Sequence, residues 1–161
     1  MFDDLLEANQ RYQAEFHDSG VAGRAAKGLA VITCIDSRID PLRMLGLQAG
    51  DAKIIRNAGA RVTDDALRSL VLAVNLLGVN RVCVVQHTEC GMAGGSDDAL
   101  RATIGELQHA DASGWEFHAM DDQRAALAGD LEKITGCPLL PADLEVGGFV
   151  FDVRSGALTP A

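Results

Sequence analysis

Short apolar runs alternate with amphipathic stretches along this chain. Residues Gly28-Leu29-Ala30-Val31-Ile32-Thr33-Cys34 and Arg81-Val82-Cys83-Val84-Val85 are near-continuous apolar runs of strand length, the pattern of strands buried on both faces. Residues 52–55 read as a further strand leading into the loop Arg56-Asn57-Ala58-Gly59, and Phe149, Phe151 and Val153 alternate as a final one before the turn Arg154-Ser155-Gly156. Leu5, Ala8, Tyr12 and Phe16 recur at helical spacing and predict an N-terminal amphipathic helix; residues 18–27, rich in Gly and Ala, read as a connection. Asp40 before Pro41 is an N-cap and first-turn pair, opening a short helix through Leu45 that Gly46 closes. Thr63 caps a longer helix whose first turn holds Asp64 and Asp65, where carboxylates complement the helix dipole. Leu67, Leu70, Val71, Val74 and Leu77 form its apolar stripe, and Gly78 stands at the left-handed closing position. Two further helical patterns centre on residues 100–107 and 125–134. Strands alternating with helices imply an α/β fold: a doubly wound, mainly parallel central sheet flanked by helices. Such sheets bind ligands at the carboxyl ends of their strands.

Composition narrows this picture. A chain of 161 residues fits a single domain, and 48% hydrophobic residues suffice for one core. With only 4% aromatics, that core rests on Val, Leu, Ile and Ala. A formal charge of −9 repels phosphate backbones and anionic lipid, so neither nucleic acid nor a membrane is an expected partner. No basic region leading into an apolar signal segment is visible, and no apolar run approaches the ~18–20 residues that span a bilayer. The cytoplasm is the expected compartment. There Cys34, Cys83, Cys90 and Cys137 suit metal or catalytic use better than disulfides.

The ends of two expected strands carry chemistry. One closes in Cys34-Ile35-Asp36-Ser37-Arg38; on an extended segment residues two apart face the same way, so Cys34 and Asp36 project together. The other closes in His87-Thr88-Glu89-Cys90, a His and a Cys three apart in a tight turn. Neighbouring parallel strands lie about 4.8 Å apart, so the two ends can gather two thiols, an imidazole and a carboxylate. Two Cys and one His are zinc ligands by type, and they leave a fourth tetrahedral position for water or for Asp36. Singly, a buried strand-end Cys is more often a core residue and a lone His a satisfied polar one; both patterns at two strand ends favour metal.

These segments resemble the signatures of the β-class carbonic anhydrases: Cys34-Ile35-Asp36-Ser37-Arg38 their CxDSR, His87-Thr88-Glu89-Cys90 their HxxC, and Arg56-Asn57-Ala58-Gly59 their RNAG. The segments Gly148-Phe149-Val150-Phe151-Asp152 and Ser155-Gly156-Ala157-Leu158 are similar to the family's last strand and turn, so the resemblance runs over about residues 28–158. Arg43-Met44-Leu45-Gly46 is most similar to the compact bacterial members. The resemblance implies Zn²⁺ held by Cys34, His87 and Cys90, and a zinc-bound hydroxide that converts CO₂ reversibly to bicarbonate. It further implies that Arg38 pairs with Asp36 and keeps it off the metal as a catalytic helper; released, Asp36 becomes a fourth ligand in a closed state. It also implies a homodimer or higher homo-oligomer, with residues 1–17 of one 1–161 domain packing on a partner subunit. The same apolar stripe is equally consistent with packing inside the chain.

Weaker candidates surround these. Gly59 and Gly91 are either close-approach glycines or plain turn residues; Cys83 reads as core, Cys137 as a loop thiol, and His17, His109 and His118 as surface or capping groups. Glu89 is either a support to the site or a solvated loop residue. Two other functions share the motifs: hydrolysis of carbonyl sulfide or carbon disulfide at the same zinc site, and a non-catalytic zinc or thiol sensor. Asp36 and Arg38 argue against the sensor, which has no need of them.

Overall fold

A computed structural model describes residues 1–18 and 20–161, so Ser19 of the expected 18–27 connection lies outside the described residues. The elements run α1 (Asp3–Glu15), β1 (Leu29–Cys34), α2 (Pro41–Met44), β2 (Ala52–Asn57), a 3₁₀ turn (Ala58–Ala60), α3 (Asp64–Leu76), β3 (Arg81–His87), α4 (Asp97–Gln108), α5 (Gln123–Thr135), β4 (Glu145–Phe151) and β5 (Leu158–Pro160). The α/β expectation holds: one five-stranded sheet in the order β2-β1-β3-β4-β5, with β5 alone antiparallel.

β1 is an interior strand, buried from Ala30 to Cys34 and paired in parallel with both β2 and β3. The chain winds outward from β1 to β2, then crosses back to β3 and onward to β4. That reversal falls between β1 and β3, so their carboxyl ends frame the cleft where open α/β sheets take ligands. Asp40 caps α2 by accepting the Arg43 N–H at 3.2 Å, and Thr63 caps α3 by accepting the Ala66 N–H at 3.3 Å.

One sheet face is filled by helices: Ala30, Ile32, Val82 and Val84 pack with Leu70 and Ala73 of α3 and with Leu127 and Ile134 of α5. The buried line of α3 runs Ala66-Leu70-Ala73, with Leu67 and Val74 flanking it and Val71 and Leu77 only half-buried. Small alanines let the helix sit close to the sheet, which shifts the stripe from the larger residues that the spacing picks out. The opposite face gathers Val31, Cys83 and Val85 with Leu29, Ile54, Phe149 and Leu158. A cavity of about 420 Å³ opens there, lined by Leu29, Leu45, Cys83, Phe149 and Leu158, with Lys27, Arg81 and Glu145 also along its wall.

Several expectations shift. β2 continues through Asn57, so Arg56 and Asn57 belong to a strand rather than a loop. β3 continues to His87, because Gln86 and His87 still pair with Val150 and Phe151. β4 starts earlier, at Glu145, and ends at Phe151; Val153 lies in a turn, after which β5 returns antiparallel as the true last strand. Every residue of α1 is exposed, so its apolar stripe packs on nothing in this chain. Among the described residues no helix is long and apolar enough to cross a membrane.

Candidate metal centre

The strand ends bring Cys34, His87 and Cys90 together, their ligand atoms all within 4.8 Å of one another and all three residues buried. Cys34 ends β1, His87 ends β3, and Cys90 follows after one tight turn. The His87 ring is set by its Nδ1, 2.8 Å from the Thr88 carbonyl. A carbonyl only accepts, so Nδ1 carries the proton and Nε2 presents a lone pair. That Nε2 is buried with no hydrogen-bond partner, an orphaned acceptor that a metal ion would satisfy. Two sulfurs and this nitrogen match a Cys₂His zinc set with one open position.

The thiols are unequal. Cys34 is drawn below the ordinary thiol range, chiefly by a hydrogen bond from Cys90 and also by the Asp36 and Gly59 N–H groups. Cys90 is pushed up, chiefly by that same pairing with Cys34 and by burial. The Gly59 N–H donates to Cys34 Sγ at 3.3 Å. Gly59 needs to be glycine on two counts: its φ is +78°, and an added Cβ would stand 3.2 Å from both Met92 Cβ and Met120 Cε. Gly91 has open space around it and no positive φ, so it is a plain turn glycine.

Asp36 lies at the rim, with Oδ2 3.9 Å from His87 Nε2. Arg38 grips it through Nε to Oδ1 at 3.0 Å, Nη2 to Oδ2 at 2.7 Å and its backbone N–H to Oδ1 at 2.9 Å. Those bonds hold the Asp36 carboxyl well below the usual carboxylate range. Arg56 braces the same turn from β2: Nε donates to the Cys34 carbonyl and Nη2 to the Asp36 carbonyl, both at 2.8 Å.

Some supports carry no local signal in the sequence. Arg56 stands in a recognisable motif, yet nothing in the motif says that its guanidinium ties down two backbone carbonyls. Arg61, just after the 3₁₀ turn, pairs with Asp130 of α5 at 2.7 Å, across 69 residues of chain. The remaining histidines stand apart from the metal cluster: His17 Nδ1 meets the Glu15 carbonyl, His109 caps α4 in a left-handed conformation, and the His118 carbonyl accepts from Arg61. Cys83 is buried on the open sheet face, where desolvation raises its thiol to about 11. Cys137 is half-buried beside Leu67, Val71 and Leu139.

Residues 29–158 match the carbonic anhydrase family model. The chain is 35% identical to Beta-carbonic anhydrase 1 of Mycobacterium tuberculosis, covering 97% of this chain and 94% of that protein. It is 31% identical to a carbon disulfide hydrolase of Acidithiobacillus thiooxidans, over 94% of this chain and 80% of that one. The crystal structure of a carbonic anhydrase from Streptococcus mutans superposes with a TM-score of 0.92 at 33% identity, over 99% and 96% of the two chains. The fold and site define a metal-dependent α/β enzyme, and the chain belongs to the β-carbonic anhydrase family.

Proposed function

We infer that this enzyme is a carbonate dehydratase that hydrates CO₂ reversibly to bicarbonate, and we propose that Cys34, His87 and Cys90 hold one Zn²⁺ per chain. The observation that carries the metal reading is the buried, orphaned Nε2 of His87, grouped with the two thiols of Cys34 and Cys90. Zinc, when bound, supplies a Lewis acid that brings the pKa of water to about 7. The residues around it do the rest. The Thr88 carbonyl keeps the His87 proton on Nδ1, so Nε2 stays available as a ligand. Asp36, ionised and without a proton of its own, would accept a hydrogen bond from a water or hydroxide beside His87 Nε2 and so orient it toward CO₂. Arg38 holds both Asp36 oxygens, which aims the carboxylate and keeps it from collapsing inward as a fourth ligand.

We take residues 1–161 as one domain of this family, working in the cytoplasm as a homodimer or higher homo-oligomer. Four unpaired cysteines suit a reducing compartment. The exposed Leu5, Leu6, Tyr12 and Phe16 of the α1 segment and the uncovered sheet face at Cys83 and Phe149 support packing against a second copy.

A second reading follows from the carbon disulfide hydrolase relative: the same site would act on linear sulfur analogues of CO₂. Zinc analysis with rates on CO₂, carbonyl sulfide and carbon disulfide decides between them. The expected result is one zinc per chain and the highest kcat/KM for CO₂; a large preference for a sulfur substrate would transfer the conclusion to the second reading. His87→Ala is expected to lose both zinc and turnover.

A further inference from the structure

Arg38 is gripped from two sides. Its Nε and Nη2 face Asp36, while Nη1 donates to Glu89 Oε2 at 3.2 Å and Nη2 also reaches the Glu89 carbonyl at 3.4 Å. Glu89 therefore uses Nη1, a donor that Asp36 leaves free, and the two carboxylates share one guanidinium without competing for its bidentate edge. The other Glu89 oxygen, Oε1, accepts from Arg154 Nε. Charges thus alternate along a chain from the metal centre outward: Asp36, Arg38, Glu89, Arg154.

The backbone fixes Glu89 in this place. It sits between ligands His87 and Cys90 with φ +57°, a left-handed conformation that residues other than glycine rarely adopt. The turn is sewn to the end of β4 beside it: the Thr88 N–H donates to the Phe151 carbonyl at 3.0 Å and the Val153 N–H to Thr88 Oγ1 at 3.1 Å. Asp152 folds the next turn by accepting the Arg154 and Ser155 N–H groups, both at 2.8 Å, which fixes the stem from which Arg154 reaches back.

We propose that Glu89 is a positioning residue for the Arg38–Asp36 pair, itself held in place by Arg154 on the turn after β4. Glu89 sets the plane and reach of the guanidinium; Arg154 offsets its charge and stops it from swinging to solvent. Without Glu89, Arg38 keeps its pairing with Asp36 but loses the contact that fixes its direction, so Asp36 spends less time correctly aimed. This deepens the CO₂-hydration reading and rests on it.

The test uses zinc-loaded Glu89→Gln, Arg154→Ala, Arg154→Lys and the Glu89→Gln/Arg154→Ala double variant. Zinc content, kcat and KM for CO₂ are measured with the hydrogen-exchange rate of the Arg38 Nε–H, read by nitrogen-15 NMR and assigned with Arg38→Lys. Because these ion pairs are exposed, Arg154 most of all, the effect is modest: Glu89→Gln is expected to lower kcat about three- to tenfold, with KM within about twofold. Zinc stays at one per chain and Arg38 Nε–H exchange quickens. Arg154→Ala shifts both readouts in the same direction but less, and Arg154→Lys restores part of that loss. The double variant is no worse than Glu89→Gln alone, since Arg154 acts through Glu89. Wild-type kcat and wild-type Arg38 exchange in folded Glu89→Gln would overturn the proposal, as would losses that multiply in the double variant. If Glu89→Gln does not fold, Arg154→Ala decides the matter: slower turnover with faster Arg38 exchange supports the proposal, and wild-type values of both overturn it. If the wild-type protein hydrates no CO₂, the functional reading falls, while Arg38 exchange still decides whether Glu89 positions the guanidinium.

Discussion

Two aspartate–arginine pairs in this protein have the same shortest contact, 2.7 Å, and opposite surroundings. Asp36 and Arg38 are two residues apart on the rim of the metal centre, with side chains 18% and 44% exposed. Asp130 and Arg61 are 69 residues apart, with Asp130 fully buried and Arg61 14% exposed. At the rim, water screens the pair, so its contribution to folding is small; what it fixes is the place of a carboxylate 3.9 Å from His87 Nε2. In the interior, the pair spans the 3₁₀ turn and α5, the Arg61 Nη1 also donates to the His118 carbonyl, and Lys133 adds a second cation 3.6 Å from Asp130. There, losing one partner would strand a buried charge. On the proposed function, identical chemistry serves as a positioning device at the rim and as a structural rivet in the interior, according to solvent and neighbours.

The largest effect is expected at the rim. Asp36→Asn keeps the shape and removes the charge; kcat for CO₂ is expected to fall by about 10²-fold or more, in the range for losing a positioned acid–base group. Its urea midpoint should stay close to wild type. Activity within a few-fold of wild type, with zinc bound, would remove Asp36 from the mechanism.

Asp130→Ala should do the reverse. It is expected to cost about 3–5 kcal/mol of stability, because Arg61 stays behind without its buried partner. Activity per folded, zinc-loaded site should change by no more than about threefold. Equilibrium denaturation measured beside kcat would show this crossing of effects, and a stable but inactive Asp130→Ala would contradict the division of labour.

The smallest expected effect is on pH. Arg38 depresses the folded pKa of Asp36, so the pair is intact above the unfolded carboxyl value of about 3.9 and is lost only as pH falls through the lower folded value. The Asp36 carboxyl carbon-13 shift should therefore stay flat from about pH 9 to pH 5. An inflection near neutrality would mean that Arg38 does not hold it in solution.

Much of this site was legible because its parts are local. Cys34, Asp36 and Arg38 fall within five residues, and His87 and Cys90 within four, each group at the end of an apolar run. Strand periodicity then states which way they point. Gly59 was legible as a motif but not as a donor to a thiolate, and Glu89 was open between a supporting and a solvated role. The β5 strand is only three residues long and carries Pro160, too little pattern to separate from a turn.

Local pattern along the chain sets the class of chemistry and the fold: metal-binding side-chain types at strand ends, in an alternation of strand and helix that allows few topologies. Tertiary structure alone decided the pairings that cross the chain. That the Gly59 N–H reaches Cys34 Sγ, that the imidazole nitrogen is left orphaned, that Arg61 finds Asp130 and that Arg154 finds Glu89 all depend on packing. Residues far apart in sequence leave no periodic trace of their meeting; only the closed sheet and its turns bring them within hydrogen-bond range.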